Sequence, residues 1–235
     1  MRIDKFLSMQ GIASRKEAAK AAKLGGVTVD GEVVRDLSKH INPDKASVCY
    51  MGEPVSYSEF VYIMLNKPEG YVSATDDKSL PFVTELLCER YRKMELFPVG
   101  RLDKDTVGLM ILTNDGKSAH RLLSPRHHVE KKYYFEADEP LPQSIAEDFR
   151  CGVVLRDGYE CKSADIELNP DLKSGFITLT EGKYHQIKRM IASFDNRVTY
   201  LERVSFGGIT LDRDLARGEW RLLTEEETEL LLSQN

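Results

Sequence analysis

The 235-residue sequence predicts an α+β protein in two parts. A small α/β unit spans residues 1–55. A larger unit spans residues 60–235 and is built on a mixed, mainly antiparallel β-sheet flanked by helices. Three observations carry this expectation. The length exceeds one domain of roughly 150 residues. The candidate strands after residue 60 are short, β-branched or aromatic, and lack the regular alternation with helices that a parallel α/β fold needs. The stretch from Met51 to Glu59 holds Gly52, Pro54 and small polar residues, and reads as a linker between the two parts.

The elements follow in order. A short helix starts at Ile3. Ser14-Arg15-Lys16-Glu17 has the S-x-x-E form of a capping box, which predicts a second helix from Arg15. Lys16, Lys20 and Lys23 share one of its faces, and Gly25-Gly26 stops it. Val27–Val29, Asp30-Gly31 and Glu32–Val34 form a hairpin with the dipeptide that a two-residue turn favours. Val48–Tyr50 adds a strand. Beyond the linker, strands are expected at 61–65, 96–99, 109–113, 133–137, 153–155, 164–168, 176–179, 198–201 and 209–211. Helices are expected at 83–91, 117–123, 143–150, 185–194 and 225–232, the last behind the capping box Thr224-Glu225-Glu226-Glu227.

Composition excludes several classes. No apolar run approaches the ~18 residues of a membrane helix, so no membrane role is expected. Met1-Arg2-Ile3-Asp4-Lys5 does not read as a signal peptide. The four cysteines are dispersed, with neither a CxxC pair nor zinc spacing, and are read as reduced thiols in the cytoplasm. The net charge of −5 hides an uneven distribution. Residues 1–45 carry +3. Lys117 to Tyr133 holds five Lys/Arg, three His and one acid, and Lys183 to Arg203 holds five Lys/Arg and two acids. Separate basic stretches let a mildly acidic protein bind a polyanion, because only the facing surface counts.

Three segments could carry chemistry. Gly100 to Gly108 packs Arg101, Asp103, Lys104 and Asp105 between two glycines and two apolar strands. Glycines permit tight turns there, and loops on a rigid sheet favour catalytic groups; an ordinary charged connection has the same texture. Lys131-Lys132-Tyr133-Tyr134 alternates so that Lys131, Tyr133 and Phe135 share one strand face. An aromatic flanked by cations suits base stacking and phosphate contact, and equally a half-wet strand. His127-His128 point opposite ways on extended chain and make a poor metal pair. In the third segment Ile187, Met190, Ile191 and Phe194 form a core stripe, while His185, Lys188, Arg189 and Ala192 share a neighbouring face.

Together these segments resemble the motifs of the RsuA-type pseudouridine synthase family. Gly100-Arg101-Leu102-Asp103 with Asp105-Thr106-x-Gly108-Leu109 resembles the family's signature loop. Lys131-x-Tyr133 resembles the second motif and His185-Gln186-Ile187-Lys188-Arg189-Met190 the third. Asn66-Lys67-Pro68-x-Gly70 matches the entry strand and turn. Residues 1 to about 50, with Arg2-x-Asp4-Lys5-Phe6-Leu7 and Ser14-Arg15, look like an S4 RNA-binding domain. The resemblance implies an rRNA-modifying isomerase that needs no cofactor and no metal. Asp103 would be the nucleophile of a covalent intermediate, attacking either ribose or base, with Lys188 as its ionic partner. Tyr133 would stack on the target base and Arg101 would replace the flipped nucleotide in the RNA. Arg2, Arg15, Lys16, Lys20, Lys23, Lys131, His185, Gln186, Arg189 and Arg203 would contact RNA. Ser205 departs from a basic residue frequent in relatives.

Within the family the pattern is nearest to members acting on the small ribosomal subunit, at uridine 516 of 16S rRNA or on an assembly intermediate. The acidic final helix, without a long basic tail, points the same way; a large-subunit 23S enzyme is the alternative. The chain is expected to act as a monomer. Rival classes remain distinguishable. A haloacid-dehalogenase-like phosphatase would use Asp103-x-Asp105 with Mg²⁺, but Arg101 interrupts the apolar strand it needs. A non-catalytic S4-type ribosome-binding protein would tolerate Asp103→Asn. A glycosidase needs two carboxylates across a sugar, which residues two apart on a loop do not assure.

Overall fold

The structure is a computed structural model and describes residues 1–234. The chain forms two units, the first being Met1–Val61 together with Thr84–Phe97. Helix α1 (Ile3–Met9) leads into α2 (Arg15–Lys23), whose capping box is closed: Ser14 Oγ accepts from Glu17 N at 3.3 Å and Glu17 Oε2 accepts from Ser14 N at 2.8 Å. Ile3, Phe6 and Leu7 pack with Ala18, Ala21 and Ala22 and with Val27 and Val48 to make a small core. Strands β1 (Val27–Val29) and β2 (Glu32–Val33) turn through Asp30 and Gly31, both at positive φ, and β3 (Val48–Tyr50) pairs on the other side of β1.

The expected linker begins too early. Met51 (φ 54°) and Gly52 (φ 89°) form a second tight turn, and β4 (Glu53–Pro54) pairs back onto β3. Pro54 sits at the sheet edge, where its missing N–H costs nothing. The single helix expected at 83–91 is two pieces, a 3-10 turn at Val83–Leu86 and α3 (Glu89–Arg92), because Cys88 is extended (ψ 161°). The stretch around α3 belongs with the first unit. Arg90 Nε donates to Gln10 O at 3.2 Å, and Gly11 lies so near Arg90 O that any Cβ would come within 2.0 Å.

The second unit is Tyr62–Val83 and the chain from Pro98 onward. It contains β5 (Tyr62–Lys67), and after the short β6 (Phe97–Pro98) come β7 (Val107–Thr113), α4 (Gly116–Leu123) and β8 (Lys131–Ala137). Then follow α5 (Ile145–Cys151), β9 (Asp165–Leu168), β10 (Ser174–Leu179), α6 (Gln186–Ala192), β11 (Val198–Phe206), β12 (Ile209–Thr210), β13 (Trp220–Leu222) and α7 (Glu225–Leu232). Seven strands run in the order β13-β5-β7-β11-β8-β10-β9. The β7–β11 pairing is parallel, whereas β5–β7, β8–β11, β8–β10, β9–β10 and β5–β13 are antiparallel.

β5 and β7 are buried along their whole length and form the apolar spine. Asp115 caps α4, accepting from Ser118 N at 3.0 Å and from the Tyr62 hydroxyl at 2.6 Å; burial, then this bond, pushes the Tyr62 phenol up to about 12. The expected strand at 153–155 is only an isolated bridge between Val154 and Glu160, since the chain reverses at Asp157-Gly158 before a ladder can grow. β13 has no counterpart among the expected strands: three residues between a Gly-Glu turn and a capping box are too few for a periodic signal.

Candidate active site

The sheet brings four sequence-distant segments to one place. β5 ends at Lys67 opposite Gly108, the second residue of β7; Gly108 also faces Arg203 of β11, and Arg203 faces Tyr133 of β8. Gly108 is required at this crossing. It has φ 98°, and a Cβ there would stand 2.4 Å from Arg203 O. Just before it, residues 100–106 form the loop that carries Arg101, Asp103 and Asp105.

The loop is held from below. Lys67 is fully buried, and its ammonium donates to main-chain oxygens of Thr106 (2.7 Å), Asp103 (3.0 Å), Pro68 (3.2 Å) and Lys104 (3.3 Å). Burial pushes its pKa down to about 8, although Asp105 and Asp103 pull upward. Gly70 N donates to Lys104 O at 2.8 Å, and Ser73 Oγ both accepts from Leu102 N and donates to Leu102 O. The sequence marked residues 66–70 only as a motif; it carries no sign that a lysine there binds carbonyls of a loop thirty-six residues on.

Asp103 is one-quarter exposed and projects into a cavity of about 80 Å³, lined also by Arg101, Thr106, Tyr133, His185 and Lys188. Lys188 Nζ lies 3.1 Å from Asp103 Oδ2 and 2.5 Å from Asp105 Oδ1, so the expected partner of Asp103 bridges both carboxylates. Burial lowers the Lys188 pKa, but the hydrogen bonds and charges of Asp105 and Asp103 outweigh it and hold the ammonium above its ordinary value. Burial likewise raises Asp105, and the Lys188 bond outweighs it to hold that carboxyl low. His185 Nε2 is 3.5 Å from Asp103 Oδ1.

The remaining expected positions divide. Arg101 is exposed at the cavity rim, and Arg15, Lys16, Lys20 and Lys23 are exposed along α2. Arg2 is exposed, with its guanidinium in a bidentate pair with Asp4. Arg189 pairs with Asp157. Three positions expected to touch RNA face inward instead. Arg203 is 1% exposed; its Nε donates to Leu109 O at 2.7 Å, its plane lies over Phe206, and burial lowers its pKa while neighbouring Tyr133 favours the charge. Lys131 donates to Val129 O at 2.8 Å, and burial pushes it down to about 8. Gln186 is buried, with Nε2 on Glu181 Oε1 at 2.6 Å and Oε1 accepting from Lys183 N. All three are basic or polar in sequence but lie on the sheet-facing side, where periodicity alone does not separate them from the wet face.

The cavity thus holds a carboxylate paired with a lysine beside an aromatic wall, a combination that can do nucleophilic chemistry. Comparison with known proteins gives the family. A profile described as RNA pseudouridylate synthase matches residues 61–193. The chain belongs to the RNA pseudouridylate synthase family. An S4 domain profile matches residues 1–45. Among curated members of the family, the chain is 45% identical to the uncharacterized RNA pseudouridine synthase YtzG of Bacillus subtilis (strain 168), over 98% of each chain. It is 44% identical to ribosomal small subunit pseudouridine synthase A of Escherichia coli (strain K12), over 97% of this chain and 98% of the relative. A crystal structure of a pseudouridylate synthase superposes with a TM-score of 0.70 at 36% identity, covering 98% of this chain and 99% of the other. Like other pseudouridine synthases, the enzyme converts uridine to pseudouridine in RNA.

Proposed function

We propose that the substrate is ribosomal RNA, specifically uridine 516 of 16S rRNA in a small-subunit assembly intermediate, and that the enzyme works as a cytoplasmic monomer through a covalent bond to Asp103. The observation that carries the chemistry is the Asp103 carboxylate facing a cavity with Lys188 3.1 Å away. A carboxylate so placed is suited to attack a sugar carbon or an activated ring. Attack by Asp103 on the sugar carbon ruptures the N–C glycosidic bond and frees the base; the base turns, its C5 forms a C–C bond to that carbon as the Asp103 ester bond breaks and the carboxylate leaves, the C5 proton departs and the ring nitrogen takes one up. No atom is gained or lost, so neither redox equivalent nor leaving group is needed. Arg101 at the rim fills the gap left by the flipped nucleotide, and Tyr133 packs on the extruded base, offsetting the few kcal/mol that flipping costs. The S4 unit supplies salt-dependent phosphate contacts through Arg15, Lys16, Lys20 and Lys23. The small-subunit target is supported by the 44% identity to a protein named for it.

The test is pseudouridine mapping in rRNA from a deletion strain and from strains complemented with wild type or Asp103→Asn. The expected result is loss of one 16S pseudouridine, restored by wild type only. A missing 23S pseudouridine instead would overturn the target. Full restoration by Asp103→Asn would overturn the nucleophile.

A further inference from the structure

Beside the Asp103 cavity runs an open groove of about 710 Å³, bordered by Glu69, Lys104, Asp105 and Lys188. Its charges largely cancel: two lysines face Glu69, Asp103 and Asp105, and Lys188 is already committed to the two aspartates. Phosphate attraction is therefore weak here, and an RNA strand passing the nucleophile needs another source of affinity.

Tyr184 stands at this groove and is 73% exposed, more than any other Phe, Tyr or Trp among the described residues of the second unit. One face lies on the His185 imidazole, with ring centroids 3.8 Å apart and planes 19° from parallel. The same imidazole reaches Asp103 Oδ1 at 3.5 Å, so nucleophile, imidazole and phenol form a continuous row. His185 holds φ 49°, a left-handed backbone uncommon for histidine, and the following turn is fixed by Gln186 and Glu181. Tyr184 is thus rigidly braced on one side and open on the other. Its free face therefore offers a flat apolar surface to the groove.

We propose that Tyr184, braced by His185, is a stacking platform for the nucleobase next to the target uridine, holding the strand while the uridine enters the Asp103 cavity. The proposal rests on the RNA-modifying role above and assigns a subsite to it. Stacking accepts any base, so this platform sets strand position rather than sequence.

The test uses an RNA hairpin that contains the uridine modified by the wild-type enzyme, with 2-aminopurine on its 5′ or its 3′ side. Wild type quenches the fluorophore at one of the two positions. Tyr184→Ala abolishes that quenching and raises the KM about 5- to 150-fold, the range for one lost base stack, with a smaller change in kcat. Tyr184→Leu, which keeps apolar bulk without a ring, behaves as the alanine variant, whereas Tyr184→Phe and Tyr184→Trp restore quenching and KM. Undiminished quenching by the alanine and leucine variants, an unchanged KM, or a leucine variant as good as phenylalanine would overturn the platform. If wild type forms no pseudouridine in rRNA, the functional reading falls first, and that outcome is visible before any variant is made.

Discussion

Replacing Lys67 by methionine separates holding the catalytic loop from holding the fold. The wild-type ammonium is fully buried and bonded to four main-chain oxygens between Pro68 and Thr106. Burial moves its pKa from 10.5 to about 8, which corresponds to about 3 kcal/mol against the charged form. Methionine removes that penalty but leaves carbonyls without a donor, at about 1–3 kcal/mol each. The two shortest bonds, to Thr106 and Asp103, set this cost at roughly 2–6 kcal/mol. Global stability should therefore change by no more than about 3 kcal/mol, while the loop under Asp103 loses its clamp and kcat falls about 100-fold, as for a misplacement near 1 Å. The pH dependence has a definite sign. Between pH 8 and 10.5 the unfolded chain keeps a proton that the folded lysine has released, so stability rises with pH. Denaturant unfolding of both proteins from about pH 7 to about 10.5 should show wild type gaining about 3 kcal/mol relative to Lys67→Met. A difference that stays flat across this range refutes the buried-charge argument, and wild-type turnover in the variant refutes the clamp.

Four other outcomes are expected. Asp103→Asn binds rRNA normally but forms no detectable pseudouridine, a loss of at least about 1,000-fold in single turnover. Lys188→Met lowers turnover more than thermal stability; because Asp105 is held low and Lys188 high, their mutual stabilisation operates above pH 3.8 and below pH 10.5, and the stability difference between wild type and variant should shrink as pH falls through the lowered Asp105 value. Arg203→Met and Tyr133→Phe each slow turnover, and the double variant is no worse than the poorer single one, since the two residues are direct cross-strand neighbours; additive losses would contradict this. Gly108→Ala costs roughly 2–6 kcal/mol in denaturant unfolding, from backbone strain plus the overlap with Arg203 O.

Much of this architecture is legible in the residues. Capping boxes at Ser14 and Thr224 place two helix starts correctly, and Asp30-Gly31 places a hairpin, because these signals are local and stereochemical. The loop at 100–108, Tyr133 and the α6 motif converge on one cavity, as the family resemblance implied, whereas the chemistry of each segment alone left that open. What stays hidden depends on long-range geometry. Lys67 and Ser73 act on main-chain atoms of the loop, and backbone acceptors leave no mark in a sequence. Arg203 and Lys131 look like surface cations, yet the sheet turns them inward, and only the register between β8 and β11 shows it. Lys188 was legible as a partner of Asp103, but its shorter contact with Asp105 depends on loop shape. The turn at Met51-Gly52 was mistaken for a linker because positive φ at a methionine has no compositional signal.

The first unit is assembled from two stretches of chain, and this has a practical side for engineering. A chimera that swaps the RNA-binding module at a single breakpoint near residue 60 leaves behind the stretch around α3, with Leu87, Met94 and Leu96 designed for enclosure. The donor module in turn lacks the Arg90 backbone against which Gly11 is fitted. A working transplant must move both stretches together, and shuffling between homologous genes meets the same obstacle.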